Sequence, residues 1–125
     1  MTSEILKKRT KEFAVRVIKL VQKLSKSQEN YVLGNQLLRS ATSVGANYRS
    51  ACRARSKADF ISKITVVEEE ADECAYWLEL IIETGLIKEN LIKDLLKEAN
   101  ELTAIFVSIG KSTKENLTKE VRNPK

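Results

Sequence analysis

The sequence predicts an all-α protein, an antiparallel up-down-up-down four-helix bundle with left-handed crossing. Apolar residues alternate spacings of four and three along most of the 125 residues, which is the period of an amphipathic helix. Only one proline and four glycines interrupt the chain, so long helices are possible. The polar connections are short and make neighbouring helices antiparallel, and the 3.5-residue period favours left-handed crossing.

The first two helices are predicted from about Ser3 to Leu24 and from about Tyr31 to Arg55. Ser3 is the expected N-cap of the first. The apolar stripes are Leu6, Phe13, Val17, Leu20 and Leu24, with Thr10 in the missing place, and then Leu37, Ala41, Val44, Tyr48 and Ala51. Gly45 lies inside the second helix, where glycine costs about 1 kcal/mol relative to alanine. This cost indicates that Gly45 has a packing role.

The third helix is predicted to begin after Ser56, with Asp59 completing a capping box, and to end at about Thr84 before Gly85. Its stripe gives the strongest periodic signal of the chain: Phe60, Ile64, Val67, Ala71, Cys74, Leu78 and Ile81. Such unbroken spacing predicts a helix buried along one face.

The fourth helix is predicted to begin near Lys88 or Glu89. Its predicted buried face is Leu91, Leu95, Ala99, Leu102, Phe106 and Ile109. Polar residues dominate from Asn116 onward, so we predict a bundle domain over residues 1–115 and a flexible C-terminal tail over residues 116–125.

Composition narrows the classes of function. The chain has no histidine, which removes the commonest general base and the commonest transition-metal ligand. Cys52 and Cys74 lack a CxxC spacing, so we expect reduced thiols. Charges interrupt the apolar residues of the N-terminus, and no apolar run approaches the roughly 20 residues that span a bilayer. We therefore expect a cytoplasmic protein with no membrane contact, no catalytic residue and no cofactor.

Charge is unevenly distributed along the chain, whose formal net charge is +5. Residues 31–63 carry 6 basic and 1 acidic side chains, whereas residues 64–83 carry 7 acidic and none that is basic. Such segregation predicts an oriented electrostatic field rather than a uniformly charged surface.

Two runs resemble a known family. RSATSVGANYRSACRARSKADFISKI, beginning at Arg39, and EADECAYWLELIIETG, beginning at Glu70, resemble the bacterial four helix bundle protein family, also called the 23S rRNA-intervening sequence protein family. The matching residues are Arg39, Ser40, Ser43, Asn47, Ser56, Phe60, Glu70, Ala71, Glu73, Trp77 and Leu78. Ser50 departs from the pattern, since the family often has glutamate there. Any contact that this glutamate makes in the family is absent here.

The resemblance implies a ring-like homo-oligomer, typically a homopentamer. A related bundle, the accessory protein of diversity-generating retroelements, is expected to bind nucleic acid and a reverse transcriptase. For most members of the family, the resemblance implies no cellular role.

Basic residues away from the apolar stripes are the first candidate site. The six that could neutralise phosphates of RNA or DNA are Arg9, Arg16, Lys23, Arg39, Arg49 and Arg53. The alternatives are an ordinary solvated face, or ion pairs with the acidic segment of helix three.

The other candidates are structural. Glu70 and Glu73 flank the core, and without histidine a di-metal site is disfavoured, so we expect them to pair with polar or basic groups on helices one or two. Ser40 and Asn47 are predicted to form buried interhelical hydrogen bonds that fix the register. Tyr76 and Leu80 lie off the main stripe, which favours a subunit interface.

The function predicted from the sequence is a non-enzymatic, homo-oligomeric module that binds nucleic acid through basic helix faces. The alternative is a protein–protein adaptor without nucleic-acid contact. An enzyme or a metal carrier is disfavoured by the missing histidines.

Overall fold

The computed structural model describes residues 1–122, which form four α-helices and no β-strand. The helices are α1 (Ser3–Gln22), α2 (Gln28–Ala51), α3 (Lys57–Glu83) and α4 (Glu89–Arg122). Helix α3 packs extensively on α2 and on α4, whereas α1 packs mainly on α2 and only sparsely on α4. The predicted all-α four-helix bundle is confirmed.

Neighbouring helices run antiparallel, as contacts between distant residues show. Thr10, in the first half of α1, lies beside Gly45 in the second half of α2. Lys57 at the start of α3 forms an ion pair with Glu120 near the end of α4. One end of the bundle therefore gathers the start of α1, the end of α2, the start of α3 and the end of α4.

Side-chain oxygens cap the first three helices. Thr2, not Ser3, caps α1, and its Oγ1 accepts a hydrogen bond from the Ile5 amide at 3.2 Å. Ser27 caps α2 by accepting from the Asn30 amide at 3.1 Å, which starts this helix earlier than the predicted Tyr31. These caps satisfy amides that have no partner within the helix.

The predicted cap of α3 is confirmed. The Ser56 Oγ accepts from the Asp59 amide at 3.1 Å, and the Asp59 Oδ2 accepts from the Arg55 amide at 3.2 Å. At the other end, Gly85 adopts the left-handed conformation, with φ of 71°, as expected for a glycine that closes a helix.

The apolar stripes meet in one core, with one error of phase in α4. Leu91 was predicted to be buried but is 67% exposed, and Ile92 is fully buried instead. Two successive spacings of four would carry Leu91 off the core side, whereas Ile92 keeps the alternation of three and four down to Phe106. Ile109 is half-buried beside the core.

The C-terminal boundary differs from the prediction. Helix α4 continues to Arg122, so residues 116–122 are helical rather than a flexible tail. The Lys57–Glu120 ion pair joins this last part of α4 to α3. The remainder of the predicted tail, residues 123–125, lies outside the described residues.

Candidate nucleic-acid interface

The six basic residues selected from the sequence lie on three different faces of the bundle. Arg49 and Arg53 lie between α2 and α1. Arg39 reaches α3 and Arg9 reaches α4. Arg16 on α1 and Lys23, the C-cap of this helix, follow Arg9 at intervals of seven, are exposed and form no ion pair within residues 1–122. The structure therefore does not join the six into one surface.

Arg9 forms an ion pair that connects α1 with α4. Its Nε donates to the Glu98 Oε2 at 2.8 Å and its Nη2 to the Glu98 Oε1 at 2.6 Å, while Glu101 lies 3.9 Å away. The hydrogen bonds that Arg9 donates to Glu98 raise the pKa of Arg9 above its ordinary value. Since the Nε–Nη2 edge is occupied by Glu98 and the side chain is mostly buried, Arg9 is assigned to bundle stability rather than to phosphate contact.

Arg39 holds two carboxylates of α3. Its Nη1 lies 3.1 Å from the Glu70 Oε2, and its Nη2 lies 3.0 Å from the Glu73 Oε1. Glu70 is buried. Burial raises the pKa of Glu73, and the neighbouring Glu70 raises it further. The predicted pairing of these glutamates with polar or basic groups on helices one or two is confirmed, with Arg39 of α2 as the partner, and Arg39 is a structural residue.

The predicted interhelical hydrogen bonds of Ser40 and Asn47 are wrong. The buried Ser40 Oγ accepts from the Arg39 Nη2 at 3.2 Å, and the Asn47 Nδ2 donates to the Ser43 carbonyl at 2.8 Å. Both bonds lie within α2. Short polar side chains commonly form hydrogen bonds with groups of their own helix, and here the Arg39 side chain and the Ser43 carbonyl are the nearby partners.

A groove of about 670 Å³ runs between α1 and α2, and we call it the α1–α2 groove. Its lining is Glu4, Lys7, Lys8, Thr10, Lys11, Ala14, Thr42, Gly45, Ala46, Arg49 and Arg53. The small residues lie together where the helices approach closely. A Cβ at Gly45 would be 3.3 Å from the Thr10 Oγ1, which supplies the packing role predicted for this glycine.

The lining of the α1–α2 groove carries five cationic side chains and one carboxylate. The carboxylate, Glu4, accepts from Lys7 at 3.2 Å. Lys8 is 4.0 Å from the exposed Glu12. No ion pair within residues 1–122 involves Lys11, Arg49 or Arg53. The groove is therefore a positively charged surface whose cations are largely available to an external anion.

Sequence reasoning missed the three lysines of the groove. Lys7, Lys8 and Lys11 are visible in the run KKRTK, but attention to the heptad of Arg9, Arg16 and Lys23 favoured another side of α1. A search for basic residues beside the small residues of two adjacent helices would have found the lysines.

The antiparallel topology concentrates positive charge at one end of the bundle, which we call the basic end. Residues 3–13, 42–68 and 110–122 meet there, with Glu68 beside Gly110, and carry 13 basic and 6 acidic side chains. The opposite end, residues 14–41 and 69–109, carries 8 basic and 11 acidic side chains. The α1–α2 groove lies at the basic end, where the field attracts anions.

Helix α3 presents a surface of negative charge, which we call the α3 acidic stripe. It consists of Glu69, Asp72, Tyr76, Glu79 and Glu83, all exposed and spaced by three and four residues. Tyr76 is 54% exposed and packs edge-on against Trp77, with ring centroids 5.1 Å apart. Leu80, the other predicted interface residue, is half-buried beside this stripe.

Residues 1–122 contain neither a metal-binding cluster nor a membrane-spanning helix. No group of histidine, cysteine, aspartate and glutamate there could hold a metal ion. Within the same residues, no helix has the length and apolarity needed to cross a bilayer. Both cysteines are free thiols, with Cys74 buried and Cys52 half-buried.

Comparisons with known proteins agree with this architecture. The family model described as 23S rRNA-intervening sequence protein matches residues 3–108. A solved structure of a protein with unknown function, from the S23 ribosomal protein family of Bacteroides thetaiotaomicron, is 40% identical. The match covers 89% of this chain and 99% of that one, with a TM-score of 0.81. A search of curated proteins found no match.

Proposed function

We propose a function from the premise that this chain belongs to the 23S rRNA-intervening sequence protein family, as the resemblance of its second and third helices predicted. The proposed function is that of a non-enzymatic, homo-oligomeric module that binds the backbone of RNA or DNA. The observation that carries the proposal is the α1–α2 groove, with five cationic side chains against one carboxylate. Its position at the basic end adds the field of the surrounding residues.

The chemistry of the groove fits phosphate rather than base recognition. Ammonium and guanidinium groups neutralise phosphates and release their counterions, which gives affinity without sequence preference. The floor of Ala14, Gly45 and Ala46 has little side-chain bulk, so a backbone can approach closely. Asn and Gln, which read adenine edges, are absent from the lining. We therefore expect sequence-tolerant binding.

The residues assigned to phosphate contact are Lys7, Lys8, Lys11, Arg49 and Arg53. Arg16 and Lys23 remain accessible but lie outside the groove. This gives a matched comparison, since replacing either Arg49 and Arg53 or Arg16 and Lys23 by glutamine removes two exposed positive charges.

Fluorescence anisotropy at low salt tests the proposal with labelled RNA and DNA oligonucleotides. Arg49→Gln/Arg53→Gln should weaken binding and flatten its logarithmic salt dependence by about 1.8 for duplex DNA, since each phosphate contact contributes about 0.9. The control Arg16→Gln/Lys23→Gln should bind close to wild type. Equal losses in both variants would indicate attraction by net charge alone, and no binding by wild type would refute the proposal.

The proposal also includes a ring of identical chains, most simply the homopentamer that the family resemblance implies. Its support is the α3 acidic stripe with Tyr76 at its centre, together with Val15 and Ile18, which are exposed on α1 beside Lys19. These two faces have opposite charge and exposed apolar groups. Rings form when different faces of one chain complement each other.

Light scattering tests the assembly. A pentamer of this 14.1 kDa chain has a mass of about 70 kDa. Tyr76→Glu should shift the mass downward, whereas the control Tyr31→Glu, which alters an exposed tyrosine on α2, should not. A wild-type monomer at micromolar concentration would refute the ring.

The second candidate function, a protein adaptor, is favoured by the same acidic stripe. A basic surface of a partner, such as a reverse transcriptase, would complement its carboxylates and contact Tyr76. Failure of all nucleic-acid binding, with an intact fold, would make this the better proposal.

A further inference from the structure

We infer that the α1–α2 groove takes double-helical nucleic acid in preference to single strands. The inference rests on the proposed function, because it names the substrate class of the same groove. The inference is based on the kinds of side chain that line the groove and on the presence of cationic side chains on both of its walls.

The groove contains no aromatic ring. Proteins that bind single strands without sequence preference combine a basic channel with aromatic side chains on which unpaired bases stack, at about 1–3 kcal/mol per base. All seven aromatic residues of this chain lie elsewhere: Phe13, Tyr48 and Phe106 are buried, Phe60 and Trp77 are half-buried against the core, and Tyr31 and Tyr76 are exposed outside the groove. An unpaired base would therefore find no stacking partner in the groove.

The cations stand on both walls of the groove. Lys7, Lys8 and Lys11 come from α1, Arg49 comes from α2, and Arg53 lies in the turn that follows α2. One phosphodiester strand between these walls has its charges facing the cations and its bases directed away from the protein. In a duplex those bases remain stacked and paired with the second strand, so binding leaves them undisturbed. In a single strand they gain no contact with the protein.

Charge density then sets the size of the preference. With five phosphate contacts, the logarithmic salt slope is about −4.5 for a duplex and about −3.5 for a single strand. If the two bind alike near 1 M salt, where the electrostatic contribution vanishes, duplex binding at 0.1 M salt is about tenfold tighter. With three contacts, as in Arg49→Gln/Arg53→Gln, the corresponding slopes of about −2.7 and −2.1 reduce the preference to about fourfold.

The experiment compares four probes with the full chain: a labelled strand of about 20 nucleotides without self-complementarity, as DNA and as RNA, each alone and annealed to its complement. Anisotropy titrations between about 50 and 200 mM salt give the affinities and slopes. We expect tighter duplex binding with the steeper slope for both nucleic acids. The preference should shrink in Arg49→Gln/Arg53→Gln and persist in the control Arg16→Gln/Lys23→Gln.

The outcomes separate this inference from the proposed function. Single strands that bind as tightly as duplexes, or with an equal slope, overturn the duplex preference while leaving nucleic-acid binding in place. An unchanged preference in Arg49→Gln/Arg53→Gln also overturns it, because the groove is then not its source. No binding to any of the four probes overturns the proposed function and this inference with it.

Discussion

The Arg9–Glu98 ion pair allows a direct measurement of what holds α1 to α4. Arg9→Gln and Glu98→Gln, made singly and together, form a double-mutant cycle. Charged hydrogen bonds contribute about 1.5–3 kcal/mol, whereas exposed ion pairs contribute about 0.2–1 kcal/mol. The Arg9 and Glu98 side chains are 24% and 14% exposed and share two short hydrogen bonds, which places this pair between the two classes. We expect a coupling energy of about 1–2 kcal/mol.

Urea denaturation of all four proteins at one chain concentration measures this coupling. The pair formed by Lys8 and Glu12 is the control: its atoms are 4.0 Å apart on exposed side chains, so its coupling should be near zero. Equal coupling energies in the two cycles would refute the assignment of Arg9 to stability. Arg9→Gln should also leave nucleic-acid affinity close to wild type at temperatures where the variant is folded.

Three further substitutions test the packing and the charges of the core. Leu78→Ala removes a fully buried side chain and should lower the free energy of unfolding by about 2–5 kcal/mol. The control Leu91→Ala alters an exposed side chain and should change it by less than about 0.5 kcal/mol. Equal urea midpoints of the two variants would contradict the burial pattern. Gly45→Ala should not stabilise the wild type, because the new Cβ would meet the Thr10 Oγ1. In the Thr10→Ala background, which lacks this oxygen, the same substitution should raise the free energy of unfolding by up to about 1 kcal/mol. A gain in both backgrounds would contradict the close contact. The raised pKa of Glu73 means that its carboxyl group binds a proton more tightly in the native state than in the unfolded chain, so the contribution of Glu73 to the free energy of unfolding falls as pH rises above the ordinary pKa of 4.5. The stability of Glu73→Gln relative to wild type should therefore increase over this range. A difference in stability that does not depend on pH would contradict the raised pKa.

The helices of this protein are predictable because the information lies within short stretches of the chain. The stripe from Ile64 to Ile81 fixes the buried face of α3, and Ser56 with Asp59 fixes its start. The error at Leu91 arose because two apolar residues stand side by side at the start of α4. The phase of the later buried residues, from Leu95 to Phe106, selects Ile92, because only Ile92 keeps the alternation of three and four.

The site was less predictable because it depends on residues distant in sequence. Glu98, the partner of Arg9, lies in the last helix, and nothing near Arg9 in the sequence indicates it. The partners of Arg39 were easier to predict, because an acidic segment follows in the next helix and its Glu70 and Glu73 were expected to pair with polar or basic groups on helices one or two. The groove itself exists only once α1 and α2 approach each other at Gly45.

The unequal packing of the helices has a consequence for the order in which the native state opens. Helix α1 packs extensively only on α2 and is joined to α4 mainly by the Arg9–Glu98 pair, whereas α2 and α4 both pack on the central α3. Elements with few tertiary contacts open at lower free energy than the whole domain. In the monomeric chain, the amides of α1 should therefore exchange with deuterium before those of α3. Because α1 forms one wall of the α1–α2 groove, a polyanion held between α1 and α2 would slow this exchange, and bound nucleic acid would thereby protect the helix that is most easily lost.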